Sequence, residues 1–294
     1  MKCIQLSPLS LAAGSAVTAG LFLLTGMQGT GSFIDGDVRE FLSHVSMVDL
    51  PDGQGGFNRT VRITGINVQV VNGMGSTDTM NGTGNLVVGY NELGNPDGDD
   101  RRGSHNIVGG RENTHASWGG LVVGEMNNVT GPFASVSGGV LNTASGRVSS
   151  VSGGNNNTAS GTDSSVGGGA SNTASGLRSS VRGGQYNIAT GLWSSVSGGR
   201  SNEASGGFSS VSGGRLNTAG STLSSVSGGR FNWAGGDSSS VSGGSYNWAS
   251  DTGSSVSGGG YNWASGYFSS VSGGRARVAP GNDDWVAGSL FEDD

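Results

Sequence analysis

The sequence predicts an all-β fold, a parallel β-roll or β-solenoid with rungs of 15 residues, preceded by a short helix and a cap. One observation behind this prediction is a valine at every fifteenth residue through the second half of the chain. The other is that serine, glycine, asparagine and alanine keep fixed positions relative to each valine. A fixed period this short is typical of a solenoid, in which each rung stacks on the one before it.

The repeated unit predicts which side chains face the interior. Alternate residues of a strand face opposite sides, so valine, asparagine and alanine are expected inside and the serines that flank each valine outside. Stacked asparagines are expected to form an amide ladder from rung to rung. The predicted valine column is Val136, Val151, Val166, Val181, Val196, Val211, Val226, Val241, Val256 and Val271. The predicted asparagine column is Asn142, Asn157, Asn172, Asn187, Asn202, Asn217, Asn232, Asn247 and Asn262.

Composition excludes several classes of protein. Glycine supplies 59 of 294 residues, which would suit a disordered chain, but disorder requires no valine at every fifteenth position. The net charge of -6 and the scattered basic residues predict no nucleic-acid partner. Cys3 is the only cysteine, which excludes a disulfide framework and a thiolate metal site. No motif for a metal or another cofactor is present, and we predict none.

Residues 1–30 are predicted to be a signal peptide or an N-terminal membrane segment. Lys2 precedes an apolar run from Leu9 to Met27, which is typical of an export signal. We therefore expect a secreted or cell-surface protein. Contact with a membrane is expected only through this segment, if it is not cleaved.

Residues 31–80 are predicted to form a helix and strands that cap the solenoid or drive trimerisation. Apolar residues from Asp35 to Leu50 recur at helical spacing, and Pro51 would end that helix. Alternating apolar residues from Thr60 to Val71 predict one or two strands, with a kink at Gly65.

Residues 81–281 are predicted to form one stack of about thirteen rungs, at about 4.8 Å per rung. Leu86, Ile107 and Leu121 are interpreted as the earlier equivalents of Val136. An acidic loop between the first two of these rungs contains residues 95–102. Residues 282–294, around Trp285, are predicted to be a C-terminal cap or tail.

The repeat resembles the head domains of trimeric autotransporter adhesins, the YadA-like heads. The segment Ser135-Val136-Ser137-Gly138-Gly139, followed by Ala144 and Gly146, is similar to the family's unit of about fourteen residues. The resemblance covers about residues 81 to 281 and implies a left-handed parallel β-roll that assembles as a trimer outside the cell. The chain departs from the family in its period of fifteen and in Gly138, where the family prefers isoleucine. The family's stalk and membrane anchor do not follow the repeats.

Aromatic residues occupy equivalent positions in three successive late rungs, and they form the candidate site. These residues are Phe231, Trp233, Tyr246, Trp248, Tyr261 and Trp263. Because residues two apart on a strand share a face, we expect two adjacent stacked columns. An exposed aromatic surface of this size is unusual. It is expected to pack against another subunit or to bind sugar rings or a hydrophobic partner.

Three further sets of residues carry weaker functional hypotheses. Arg200, Arg215 and Arg230 share a column, which indicates either an anionic partner or side chains that spread into solvent. Asp97, Asp99 and Asp100 contain oxygen ligands that suit calcium, although a solvated turn explains them as well. His105 and His115 would be the centre of a polysaccharide-active enzyme, but they match no catalytic motif.

We therefore predict an exported, non-enzymatic structural or adhesive protein that forms a homotrimer, because one thin roll buries few apolar side chains. Its mechanism would be multivalent contact with a host or matrix surface, glycan or protein. An alternative is an ice-binding solenoid that uses the two outward serines of each rung. Another is a subunit of an extracellular fibre that assembles through the exposed ends of the roll.

Overall fold

The computed structural model describes residues 35–287 and confirms the predicted all-β parallel solenoid. It has about 12 turns with rungs of about 15 residues, and one short helix precedes it. Left-handedness stays a prediction. The described residues form two compact units, 35–69 and 70–287. The predicted leader lies outside the described residues, and within 35–287 no helix is long and apolar enough to span a membrane.

The N-terminal unit contains a helix and a hairpin instead of the predicted long helix. Helix α1 spans Gly36–Ser43, and strands β1 (Val45–Pro51) and β2 (Phe57–Ile63) pair antiparallel. The prediction of a helix to Leu50 is therefore wrong beyond residue 43. Val45 and Val48 fit helical spacing, but their branched side chains favour a strand once residues 57–63 supply a partner.

The hairpin turn depends on Asp52, which follows Pro51. Its Oδ1 accepts hydrogen bonds from the backbone N–H groups of Gln54 and Gly56, both at 2.8 Å. These two bonds hold the pKa of Asp52 below its usual range, because they favour the charged carboxylate. The strand predicted to reach Val71 ends at Ile63, after which the backbone is irregular.

The solenoid unit contains two parallel sheets, and each full rung contributes one strand to each. The serine sheet has 14 strands: β3 (Leu86–Val88), β4 (Ile107–Arg111), β6 (Leu121–Glu125), β8 (Ser135–Val136), β10 (Ser150–Val151), β12 (Ser165–Val166), β14 (Ser180–Val181), β16 (Ser195–Val196), β18 (Ser210–Val211), β20 (Ser225–Val226), β22 (Ser240–Val241), β24 (Ser255–Val256), β26 (Ser270–Val271) and β28 (Trp285–Val286). The alanine sheet has 12 strands: β5 (Thr114–His115), β7 (Asn128–Val129), β9 (Thr143–Ala144), β11 (Thr158–Ala159), β13 (Thr173–Ala174), β15 (Ile188–Ala189), β17 (Glu203–Ala204), β19 (Thr218–Ala219), β21 (Trp233–Ala234), β23 (Trp248–Ala249), β25 (Trp263–Ala264) and β27 (Val278–Ala279).

The core consists of columns of identical side chains. Val136 pairs with Val151, and Ala144 with Ala159, and this register continues to the last rungs. The valines from Val136 to Val271 and the alanines from Ala144 to Ala279 are at most 1% exposed. Each interior column is therefore one residue type stacked at the spacing of neighbouring strands.

The buried asparagines link each rung to both of its neighbours. The amide of Asn157 donates to the carbonyl of Gly153 in its own rung and to that of Gly169 in the next, both at 3.0 Å. Its Oδ1 accepts the backbone N–H of Asn172 at 3.0 Å. The column thus forms bonds between side chain and backbone, in place of the expected amide-to-amide ladder.

The early rungs pair one residue away from the expected alignment. Leu121 pairs with Ser135, and Val122 with Val136, so Val122 is the buried residue. The predicted equivalence of Leu121 and Val136 is therefore wrong. It would place the leucine side chain in the interior, because a shift of one residue exchanges the two faces of a strand. The sequence separation between paired residues is fourteen in this strand pair and becomes fifteen at the bridge between Glu125 and Val140.

The later rungs have one residue more than the early rungs, located in the turn after the serine strand. Strands β4 and β6 pair without interruption over five residues. In later rungs the pairing covers two residues and resumes at a single bridge, such as Val140 with Asn155. Three residues lie between the paired valine and the bridged residue, and the second of them is a glycine, such as Gly138. A Cβ added to Gly138 would have no atom within 4 Å. This exposed turn accommodates the fifteenth residue.

Each later rung has two corners at which the backbone is left-handed. Leu141 and Val148 show this in one rung, with φ of 57° and 58°. Such angles are unfavourable for residues other than glycine, asparagine and aspartate, and Val148 is branched at Cβ as well. At the end of the solenoid, Trp285 and Val286 pair in parallel with β26, so residues assigned to a cap form a further strand.

Candidate functional site

The aromatic ladder, defined as Phe231, Tyr246 and Tyr261, stacks along one corner of the solenoid. The ring centroids of Phe231 and Tyr246 lie 4.8 Å apart with an interplanar angle of 16°. Those of Tyr246 and Tyr261 lie 4.9 Å apart, at 6°. Because each ring covers the face of the next, the ladder presents ring edges and the tyrosine hydroxyls to its surroundings.

The ladder lies at a corner and not on a strand, which corrects the argument from strand alternation. All three residues have left-handed backbone, with φ between 54° and 59°. Each is followed by a buried asparagine of the interior column. The corner therefore turns the ring outward, and the rung spacing alone sets the distance between rings.

The tryptophan column, defined as Trp233, Trp248 and Trp263, lies on the outer face of the alanine sheet. These residues pair in register, and their side chains are 40–46% exposed. A Cβ built on Gly235 would fall onto the six-membered ring of Trp233, and one on Gly220 would lie 3.3 Å from its Nε1. Gly220 and Gly235 stand where other rungs have serine or threonine, so their lack of a side chain leaves room for the indole.

The remaining indoles are held by polar and edge contacts. Nε1 of Trp263 donates to Oγ of Ser250 at 2.6 Å. The rings of Trp248 and Trp263 meet edge to face, with centroids 6.1 Å apart and an angle of 88°. The tryptophans do not form the regular stack that the sequence predicted, and ring faces therefore remain accessible.

Four arginines, called the cationic column, occupy the position before the aromatic-ladder corner in their rungs: Arg200, Arg215, Arg230 and Arg275, with Ser245 and Gly260 between the last two. The first three occupy directly bridged backbone positions in successive rungs. Cζ of Arg230 lies 4.9 Å from the centroid of Phe231, and that of Arg275 lies 5.8 Å from that of Tyr261. Among the described carboxylates, none forms an ion pair with these four guanidinium groups. Directly opposed like charges are unfavourable in a sheet.

The outer face of the serine sheet is a regular array of hydroxyl groups. Serine occupies the residue before every valine from Ser135 to Ser270. Within residues 35–287 the hydroxyls of this column form no intramolecular hydrogen bond. A second column, which begins at Ser137, is interrupted by Gly167 and Arg182.

A corner stripe of exposed apolar side chains was not predicted from the sequence. Its members are 42–59% exposed and occupy one or both of the two positions before six of the nine Ser-Ser-Val segments. They are Val148, Leu177, Leu192, Trp193, Phe208, Leu223, Tyr267 and Phe268. The detectable signal was the recurrence of large apolar residues at this otherwise variable pair of positions.

The early histidines have structural contacts. His105 accepts a hydrogen bond from the backbone N–H of Asn72 at Nε2, and its Nδ1 lies 3.1 Å from the carbonyl of Thr77, which fits the neutral Nδ1–H tautomer. His115 is buried in the inward column, paired with Val129. Burial and then the charge of Arg101 lower the pKa of His115, while Asp100 opposes this shift.

The acidic loop uses its carboxylates in local bonds. Asp97 accepts from the amide of Asn128 at 2.8 Å, and Asp99 accepts from the backbone N–H of Gly94. Asp100 forms an ion pair with Arg102. Hydrogen bonds from the side chain and the backbone N–H of Arg102 lower the pKa of Asp100. No cluster of three metal-ligating side chains occurs in the part of the chain that is described.

Comparison with known proteins does not assign this chain to a family. The chain matches no protein-family model, and no curated protein shows significant similarity to it.

Proposed function

We propose that this protein is an exported adhesive scaffold without enzymatic activity, in which a rigid solenoid presents several copies of one contact surface. The observation that carries the proposal is that both exposed aromatic surfaces repeat from rung to rung. Repetition along the axis and across several chains turns weak single contacts into strong binding.

The corner stripe is the proposed contact between copies of the chain, and three copies are expected. Five of its members lie in four successive rungs, are each about half exposed, and form an apolar surface of the kind that marks protein contacts: Leu177, Leu192, Trp193, Phe208 and Leu223. Burying this stripe leaves the tryptophan column and the aromatic ladder, which lie on other columns of the rung, free for a partner.

Light scattering on a sizing column tests the assembly. A mass of three chains is expected, and the double substitution Leu192→Ser with Phe208→Ser should convert the trimer to monomers. The matched control, Ser197→Ala with Ser212→Ala on the serine sheet, should leave the mass unchanged. A wild-type monomer at high concentration contradicts the proposed assembly.

A second candidate function is binding to ice, favoured by the uninterrupted serine column from Ser135 to Ser270. Its hydroxyls are unengaged within the described chain and recur at the strand spacing. Thermal hysteresis of concentrated protein, lost in Ser195→Tyr and Ser210→Tyr variants, would support this candidate. Its absence in the wild type would reject it.

A further inference from the structure

We propose that the surface formed by the cationic column, the aromatic ladder and the tryptophan column binds an acidic polysaccharide laid along the solenoid axis. This inference rests on the proposed function and specifies the ligand class for its contact surface. It is carried by arginines at one position of neighbouring rungs and by aromatic residues in three successive rungs, and the two sets meet in the rung of Arg230, Phe231 and Trp233.

The charge of this surface is uncompensated. Arg200, Arg215 and Arg230 lie on directly bridged positions, and the described chain supplies no ion pair for them. Two of the three carboxylates between residues 195 and 265 are engaged elsewhere, because Asp237 accepts from Ser221 and Asp251 from the backbone of Thr252. A row of anions at the same spacing would relieve the mutual repulsion of the arginines.

The aromatic ladder favours anions as well. Its ring faces cover one another, so the rings present their edges, which carry the positive part of the aromatic quadrupole. The hydroxyls of Tyr246 and Tyr261 add hydrogen-bond donors. Carboxylate or sulfate groups fit this combination better than an uncharged apolar partner does.

The tryptophan column supplies the surface for sugar rings. A Cβ on Gly235 would fall onto the six-membered ring of Trp233, so the ring lies over this glycine, and the residue is 40% exposed. The C–H groups on one side of a pyranose ring contact such a negative aromatic face favourably. The NH of Trp263 is already bonded to Ser250, so this indole is held in place before any ligand arrives.

The spacing fits a polymer rather than a single sugar. Rungs follow one another at about the strand separation of 4.8 Å, which is comparable to the advance of one sugar in an extended polysaccharide. Sugar rings would then meet the rungs that carry tryptophan, and acidic groups of the same polymer would meet the rungs that carry arginine. A single-stranded nucleic acid fits less well, because its bases require free aromatic faces and the rings of the ladder cover one another.

Calorimetric titration of the full-length chain with polygalacturonate tests the proposal, alongside an uncharged β-glucan and single-stranded DNA. Polygalacturonate should bind, and its affinity should fall as salt increases, because exposed charges are screened. Trp263→Ala should weaken binding about tenfold, the effect of removing one stacked ring. Arg215→Gln should weaken binding and reduce its salt dependence.

Matched controls separate the site from general effects of substitution. Trp285 on the serine sheet donates from Nε1 to Ser272 at 2.7 Å, so Trp285→Ala removes an equally bonded exposed indole from another face. Arg182→Gln removes an exposed arginine from the serine sheet. Neither control should change the affinity, and the variants should retain the wild-type circular dichroism spectrum and unfolding midpoint.

Four outcomes would overturn the proposal. Equal binding of the uncharged glucan, or stronger binding of DNA, would refute the acidic polysaccharide while leaving an adhesive surface in place. A change in oligomeric mass caused by Trp263→Ala would assign the surface to a second copy of the chain. Unchanged binding of Trp263→Ala and Arg215→Gln to polygalacturonate, and to any cell or matrix surface that the wild type binds, would refute the proposed function as well.

Discussion

At the scale of single residues, the buried asparagines hold successive rungs together. Each uses both amide hydrogens and one lone pair to bond backbone groups of its own rung and of the next, as at Asn157. Removing the side chain deletes all three bonds and leaves the N–H of Asn172 buried without its acceptor, and an unsatisfied buried group is costly.

We expect Asn157→Ala to lower the free energy of unfolding by about 3 kcal/mol, given three lost bonds of about 1 kcal/mol each. Asn155 in the same rung is exposed, so Asn155→Ala should change stability by less than about 0.5 kcal/mol. Urea titrations followed by circular dichroism measure both. Equal midpoints for the two variants would contradict the role of the column.

The buried serines that precede the serine strands behave in two ways. The hydroxyl of Ser179 is buried without a partner in the described structure, whereas that of Ser254 donates to the carbonyl of Asp251 at 2.6 Å. Ser179→Ala should therefore be neutral or slightly stabilising, and Ser254→Ala should cost about 1 kcal/mol. Thermal unfolding of the two variants compares them directly, and a larger loss in Ser179→Ala would be the contrary result.

His115 should make the solenoid sensitive to acid. Its pKa in the folded chain lies below the ordinary value of 6.5, so the unfolded chain binds more protons between these two values. Stability should then fall as the pH drops below about 6.5 and level off below the folded pKa. Melting temperatures measured from pH 7 to pH 5 should show this decline.

His115→Val should reduce the decline, because valine occupies the paired position in β7 and does not titrate. His44→Gln, in the N-terminal unit, serves as the control and should leave the pH dependence of the solenoid unchanged. A decline of equal size in His115→Val and the wild type would assign it to other groups.

At the scale of the elements, the corners depend on close backbone contact between rungs. A Cβ on Gly176 would collide with the carbonyl oxygen of Gly191, whereas one on Gly183 would meet no atom within 4 Å. Gly176→Ala should cost about 3 kcal/mol, at the upper end of overpacking effects. Gly183→Ala should be neutral or add about 0.5 kcal/mol by restricting the unfolded chain. The denaturant midpoints of the two variants measure these effects. An unchanged midpoint for Gly176→Ala would show that the corner can widen to hold a methyl group.

How far the sequence predicted these elements depends on the range of the interactions involved. Valine every fifteen residues placed Val151 and its equivalents inside, because alternation and period agree over ten rungs. The residues from Val45 to Leu50 fitted a helix locally, and only pairing with residues 57–63 makes them part of a strand. At Leu121 the pattern allowed two alignments one residue apart.

The candidate site was only partly predictable for a related reason. The sequence gathered the aromatic residues into equivalent positions, since equivalence needs only the period. It could not place Phe231, Tyr246 and Tyr261 at left-handed corners, because such backbone angles are unusual for aromatic residues. The flat position of Trp233 depends on Gly220 and Gly235, whose significance appears only when neighbouring rungs are stacked.

At the scale of the whole molecule, the solenoid should tolerate the loss of complete rungs. Deleting residues 180–194 would bring Ser195 opposite Ser165 and keep every interior column in register. Contacts between neighbouring rungs dominate the stability of repeat proteins, so the shortened chain should fold and lose a modest part of its stability. Deleting residues 180–186 should disrupt the fold, because it removes β14 and connects β13 directly to β15, two strands of the same sheet. Circular dichroism and resistance to proteolysis distinguish these outcomes.

The left-handed corners have a consequence for how this surface can diversify. At one corner, residues as different as Val148, Asp163, Arg178, Trp193 and Leu223 adopt nearly the same φ, between 56° and 58°. Backbone contacts therefore fix the direction of the side chain whatever its chemistry. Exchange of one corner residue alters what the rung displays while the interior columns stay the same. Counting rungs then gives the separation of any two displayed groups, and new patterns of surface chemistry require no new fold.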